Sequence, residues 1–395
     1  MKLSNRITHL TGGGSDGWDV FYRARRMISE GHAVTELTIG EHDIRTDASI
    51  LQAMDLSARS GHTGYAMVPG TDLLRDTVAA RVQMRTGVPT SRNNVLITPG
   101  GQAALFAAHT AVCDPGDLGL YLDPYYATYP GTIRGAGAIA RAVQTSADNA
   151  FQPRAEDIDA VADGAVSLLI NSPNNPTGVV YSRETIENIS ELCTRRDLWL
   201  ISDEVYDTQV WEGEHISPRA LPGMVERTLV VGSMSKSHAM TGSRCGWIVG
   251  PEQVISHLIN LATHTTYGVP GFVQDAASFA LNAGTELEAE IAAPFRRRRA
   301  LAKEILARQQ TVGLVPAQGA MYLMLDVRAT GLSGEEFANA LLDQHAIAVM
   351  PGESFGRAAA GHIRVAMTVD DDRFASALQI LCECAANLAD QRAAE

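Results

Sequence analysis

From about residue 70 onward, short apolar runs alternate with longer stretches whose apolar positions recur at helical spacing. The runs at 95–98, 118–122, 166–170, 198–202, 228–231 and 247–249 read as buried strands. The stretches 72–86, 102–112 and 183–195 read as helices between them. Such alternation predicts an α/β domain, with a mainly parallel sheet wrapped by helices. After Pro251 the pattern changes. Helices are predicted at 252–263, 272–283, 334–345 and 370–389, with a long one at 286–310, an apolar stretch at 321–327 and a strand at 362–367. This reads as a second, smaller α+β domain. A lone strand at 36–39 is expected to pack with it, which divides the chain into 1–48, 49–285 and 286–395.

The chain has 395 residues and a formal net charge of −13, which argues against nucleic acid or an anionic membrane as partner. No apolar run is long enough to span a bilayer. Residues 1–14 lack the apolar core of a signal peptide, so a cytoplasmic protein is expected. Gly12–Gly14 reads as a turn. Cys113, Cys193, Cys245, Cys382 and Cys384 form no Cys-x-x-Cys pair and read as reduced core thiols. The eleven histidines show no metal-binding spacing, so no metal site is expected; His42, His238 and His264 read as structural. The basic run 296–299 reads as a solvated helix face.

Chemistry concentrates at a few positions that follow predicted strands, where a parallel sheet places its ligands. Lys236 lies in Ser233-Met234-Ser235-Lys236-Ser237, eight residues before Arg244. An amine that attacks a carbonyl must spend part of its time neutral. Ser233, Ser235 and Arg244 offer donors for a phosphate, and a lysine beside phosphate ligands suits pyridoxal 5′-phosphate. Asp203, in Ser202-Asp203-Glu204-Val205-Tyr206, can pair with a pyridinium nitrogen, and Tyr206 can donate to the ring 3-oxygen. Asp203 is equally placed to cap a helix. Asn175, in Ser172-Pro173-Asn174-Asn175-Pro176-Thr177-Gly178, can reach the same oxygen or serve only as a turn residue. Gly100-Gly101-Gln102 joins a strand to a helix, where backbone amides bind phosphate. Tyr126 can stack on a ring, and Arg364, inside an apolar strand, needs an anionic partner.

Taken together, these motifs resemble the class I/II pyridoxal-phosphate-dependent aminotransferases of fold type I over nearly the whole chain. Within them, arginine–pyruvate and bacterial aspartate-type aminotransferases are the most similar. The resemblance implies Lys236 as Schiff-base lysine and general acid/base, with Asp203 on the ring nitrogen. It places Tyr206 and Asn175 on the 3-oxygen, Tyr126 over the ring, and Gly101, Gln102, Ser233, Ser235 and Arg244 on the phosphate. It implies Arg364, Gly40 and Asn175 for the substrate carboxylate. Tyr65 corresponds to a tyrosine that reaches the phosphate across a homodimer interface. The segment Gly40-Glu41-His42-Asp43-Ile44 and Ser243 depart from the family pattern, which touches substrate choice. The implied reaction moves an amino group from an amino acid to a 2-oxo acid in a ping-pong cycle. Gln102 is neutral where aspartate-type enzymes often carry a lysine, so arginine or a neutral donor with pyruvate is expected ahead of aspartate. Asp16 and Asp19 are candidates to face a guanidinium. An aspartate aminotransferase, a C–S β-lyase on the same fold, and a non-enzymatic regulatory module are the competing readings.

Overall fold

A computed structural model describes residues 1–12 and 17–394. Asp16, one of the two aspartates expected near a guanidinium, lies outside the described residues. A seven-stranded sheet forms the centre. Its spatial order is Val95–Thr98, Gly246–Val249, Thr228–Ser233, Trp199–Asp203, Ala165–Asn171, Leu118–Asp123 and Ile139–Gln144. Every pairing is parallel except the two made by Gly246–Val249. The inner strands are buried on both faces, as their unbroken apolar runs require. Ile139–Gln144, at the edge, instead has exposed and half-buried positions in alternation, with Val143 alone buried. Its weaker apolar signal is why the sequence does not announce it. The helices Ala48–Arg59 and Tyr129–Ala136 were likewise not anticipated.

A four-stranded antiparallel sheet runs in the order Met350–Pro351, His362–Ala366, Tyr322–Asp326, Gly313–Leu314. The expected strand at 36–39 is shorter, Thr35–Glu36, and is not alone: it pairs in parallel with Ile347–Ala348. Helix Asp72–Thr86 starts at Thr71, whose hydroxyl accepts from Leu74 N–H, and ends at Gly87 with φ 71°. Helix Gly334–His345 opens with a capping box made by Ser333 and Glu336. The long helix is Thr285–Leu306. Its basic run is not uniformly solvated. Arg298 is 3% exposed, donates to Asp43 and Asp371, and ties residue 43 to the start of the last helix, Asp371–Ala394. Its two carboxylate partners are distant in sequence, so helical spacing alone could not reveal this role. All five cysteines are buried and unpaired. Among the described residues no helix is long and apolar enough to cross a membrane.

Candidate active site

Parallel strands share a carboxyl edge, and that edge gathers residues distant in sequence. Asn171, Asp203 and Ser233 are the last residues of their strands. They open onto a cavity of about 370 Å³. Every residue for which the family resemblance implied a cofactor or carboxylate contact lines it except Tyr65: Gly40, Gly101, Gln102, Tyr126, Asn175, Asp203, Tyr206, Ser233, Ser235, Lys236, Arg244 and Arg364. Tyr65 stands outside, 93% exposed, with its ring 5.4 Å from that of Tyr267.

One end of the cavity is built for an anion. Helix Gly101–Val112 begins at Gly100 (φ 80°) without a side-chain cap, so its first amide groups keep their donors. A Cβ on Gly246 would come within 2.8 Å of the Gly100 carbonyl carbon, and one on Gly100 would strike the Arg244 guanidinium. Glycine is therefore needed at both positions for strand, helix start and guanidinium to meet. Ser233 Oγ donates to Ser235 Oγ at 3.0 Å, and Arg244 Nη1 donates to the Thr241 carbonyl at 2.8 Å. Two hydroxyls, a guanidinium and an uncapped helix start form a donor set that fits a phosphate. The Gln102 side chain is engaged elsewhere: it donates to Thr132 Oγ1 at 2.7 Å and accepts from Thr128 Oγ1 at 2.9 Å. What Gln102 offers an anion is its backbone N–H.

In the middle, Lys236 projects from the short helix Met234–Ser237, and its Nζ donates to the Gly40 carbonyl. Asp203 lies 4% exposed. Burial pushes its carboxyl up to about 6, although the Tyr129 hydroxyl donates to Oδ2 at 2.6 Å and Val205 N–H to Oδ1 at 3.3 Å. A carboxylate so desolvated gains from a cation set against it. Burial likewise raises the Tyr206 hydroxyl well above its ordinary value, and Tyr206 shares a 3.1 Å hydrogen bond with Tyr322. His42, beside Lys236, is held neutral: burial first, then the lysine charge, lowers it to about 3.

The far end carries Arg364, 1% exposed. Its Nη1 donates to Asn175 Oδ1 at 2.8 Å and its Nη2 to the Thr38 carbonyl. Its guanidinium carbon sits 4.4 Å from the Tyr322 ring centre and 4.3 Å from that of Phe355. Nε has no partner, and no carboxylate pairs with this cation among the described residues. A buried fork of this kind fits a carboxylate supplied from outside. Gly40 leaves room for it: a Cβ there would lie 1.7 Å from Tyr322 Oη.

Tyr129, Tyr322, Asn171 and Trp18 also stand in the walls. Tyr322 sits in the apolar stretch noted in the sequence. A phenol in a buried strand needs a polar partner, which was the signal available. Asn171 ends its strand, where it donates to the Asp203 carbonyl at 2.9 Å and accepts from Asn175 N–H at 2.8 Å. Nothing local marked Tyr129, whose partner Asp203 is 74 residues away.

The sequence model of the family described as aminotransferase class I and II matches residues 33–381. The chain belongs to that family. It is similar to arginine–pyruvate transaminase AruH of Pseudomonas aeruginosa, 41% identical over 99% of this chain and all of that protein. It is also 33% identical to the aspartate/prephenate aminotransferase of Thermus thermophilus, covering 90% of this chain and 92% of the relative. Among solved structures, aspartate aminotransferase from Thermus thermophilus with maleate superposes with a TM-score of 0.91 at 31% identity, over 97% of this chain and 100% of that one. The chain is thus a transaminase of fold type I.

Proposed function

We propose that the protein is a pyridoxal-phosphate-dependent aminotransferase with the central cavity as its active site. The observation that carries this reading is the sequence of functions along one cavity: phosphate donors at one end, Lys236 and Asp203 in the middle, and an unpaired buried arginine at the other. Gly101, Gln102, Ser233, Ser235 and Arg244 would hold the phosphate. Asp203 would keep the ring nitrogen protonated, Tyr206 and Asn175 would donate to the 3-oxygen, and Tyr126 would pack on the ring face. Bound there, the cofactor supplies an aldehyde that takes the amino group and a protonated ring that accepts the electrons released at the substrate Cα. Arg364, oriented by Asn175 and Tyr322, fixes the substrate carboxylate. Lys236 Nζ would take the proton from Cα and hand it to the carbon that carried the aldehyde, and would reverse that transfer with the acceptor. Tyr129 and Val205 N–H hold the Asp203 carboxylate in place.

The donor proposed is arginine or a neutral amino acid, with pyruvate as acceptor. A larger cavity of about 1090 Å³ adjoins the site and shares Trp18 and Gln102 with it. Asp19, Glu335 and Glu353 line that cavity, together with Arg6 and Arg134. Three carboxylates against two arginines give this lining an excess of negative charge, which suits a guanidinium better than a second carboxylate. The similarity to an arginine–pyruvate transaminase supports the same ranking. The aspartate reading has the Thermus relatives in its favour. Steady-state kinetics with each donor against pyruvate and 2-oxoglutarate tests the choice. A kcat/KM for aspartate above those for arginine and the neutral amino acids overturns it. Release of pyruvate and ammonia from a single substrate would instead favour a β-lyase.

A homodimer is proposed because Leu56, Tyr65, Met67, Leu73 and Met84 are exposed apolar side chains close in sequence. A second copy would cover them and bring Tyr65 towards a phosphate. The cytoplasm is the proposed compartment, which suits five buried, unpaired cysteines.

A further inference from the structure

At the opposite edge of the central sheet, where the parallel strands begin, lies a second opening. This cleft of about 940 Å³ is lined by Arg219, Trp199, Val254, Leu258 and Leu261, with Glu226 at its rim. Arg219 comes from the short helical turn Pro218–Ala220 and is 1% exposed. Its Nη1 donates to the Val225 carbonyl at 3.2 Å. Its Nε has no partner, and no carboxylate lies within ion-pair distance of it among the described residues. Burial lowers its pKa, and Glu226 and Glu204 offset this only from farther away. Glu204 is itself occupied by Ser217 and His215. A buried guanidinium that keeps its charge without an anion is costly, and a cleft beside it is where an anion could enter.

The rest of the wall says what kind of anion. Trp199, Val254, Leu258 and Leu261 offer apolar surface; helix Glu252–Thr263 starts there without a side-chain cap, but its own Glu252 also lines the cleft, so Arg219 is the group that would hold the anion. We infer that this cleft is a second ligand site, taking a small carboxylate with an apolar body: the carboxylate meets Arg219 and the body packs on Trp199 and Leu258. The site is separate from the reacting cavity. Strand Trp199–Asp203 begins at the cleft and ends at the cavity, four residue steps or about 13 Å away. The inference does not depend on which amino acid is the donor.

The test uses the cofactor-loaded enzyme and para-fluorobenzoate followed by fluorine NMR. Wild-type protein is expected to bind the probe saturably even when the reacting cavity is filled with substrate. Arg219→Gln should weaken this binding about ten- to hundredfold, the worth of charge-assisted hydrogen bonds, and leave the transamination rate unchanged. Arg219→Lys should keep part of the affinity. Val254→Trp, which narrows the cleft and leaves the guanidinium, should also lose it, so the test does not depend on one variant folding. Glu226→Gln should tighten binding by removing a nearby like charge. Equal binding by wild type, Arg219→Gln and Val254→Trp would overturn the inference. Inorganic phosphate binding in an Arg219-dependent manner, with no binding of para-fluorobenzoate, would overturn the assignment to carboxylates.

Discussion

Replacing Asp203 with asparagine separates the cost of burying its charge from the use the reaction makes of it. Burial lifts this carboxyl from 3.8 to about 6. Between those values the folded, cofactor-free chain holds a proton that the unfolded chain has lost. Stability therefore falls as pH rises through that window and levels off above it. About two units at roughly 1.4 kcal/mol each amount to about 3 kcal/mol. Asparagine never ionises and escapes this cost. Its amide oxygen can still accept from Tyr129, but an amide nitrogen facing Val205 N–H forfeits the second hydrogen bond, about 1 kcal/mol. The cofactor-free Asp203→Asn protein is thus expected to be about 1 kcal/mol less stable than wild type near pH 4 and about 2 kcal/mol more stable near pH 8. Asp123, pushed up to about 6 by the same desolvation, has the same pH dependence in both proteins and cancels in the difference. Urea unfolding of both cofactor-free proteins at a series of pH values measures this. In transamination the proposed role of Asp203 reverses the order: without a carboxylate to stabilise charge on the ring, kcat is expected to fall at least about 10²–10³-fold. A stability difference that stays flat with pH would refute the burial argument.

Lys236→Ala is expected to stop turnover, by more than the 10²–10⁴-fold typical of one general acid/base, while circular dichroism shows an unchanged fold. Gly40→Ala must displace Tyr322, since the new Cβ would sit 1.7 Å from its hydroxyl; a cost of about 1–3 kcal/mol and a raised KM are expected, with partial rescue by a second change, Tyr322→Phe. Arg298→Ala leaves Asp43 and Asp371 without their shared partner and should cost about 3 kcal/mol in denaturant unfolding, the low end for a buried pair because both carboxylates keep some water. Tyr65→Phe should weaken cofactor retention by about 1.5–3 kcal/mol in a dialysis assay, and sedimentation showing a fully active monomer would remove its basis.

The placement of elements was legible where the apolar signal was strong. Asp72–Thr86, Val95–Thr98, Arg183–Arg195, Glu252–Thr263 and Gly334–His345 begin and end where capping residues and apolar periodicity put them. Ile139–Gln144 escaped because an edge strand is half solvated and needs few apolar side chains. Helix Tyr129–Ala136 contains a proline and two glycines, which weaken a helical reading that burial against the sheet restores.

The residue types of the site were written in the sequence, because strand ends in a parallel sheet are recognisable from the apolar runs before them. Lys236, Asp203, Asn175 and Arg364 could be named there one at a time, each with an ordinary structural alternative. Only the tertiary structure decided that they face one cavity, since that depends on strand order: Asn171 pairs beside Asp203, and Ser233 lies one strand farther on. The partnerships that set their chemistry also belong to the fold. The Tyr129–Asp203 bond, the clamp of Asn175, Tyr322 and Phe355 on Arg364, and the desolvation that raises Asp203 all arise between segments far apart in the chain. The same is true of Arg219, an unremarkable arginine in sequence. It became a buried, unpaired charge only when Pro218–Ala220 folded under the start of the central sheet. Local pattern specifies backbone and residue type; burial and long-range pairing, which act through space, specify charge state and partner.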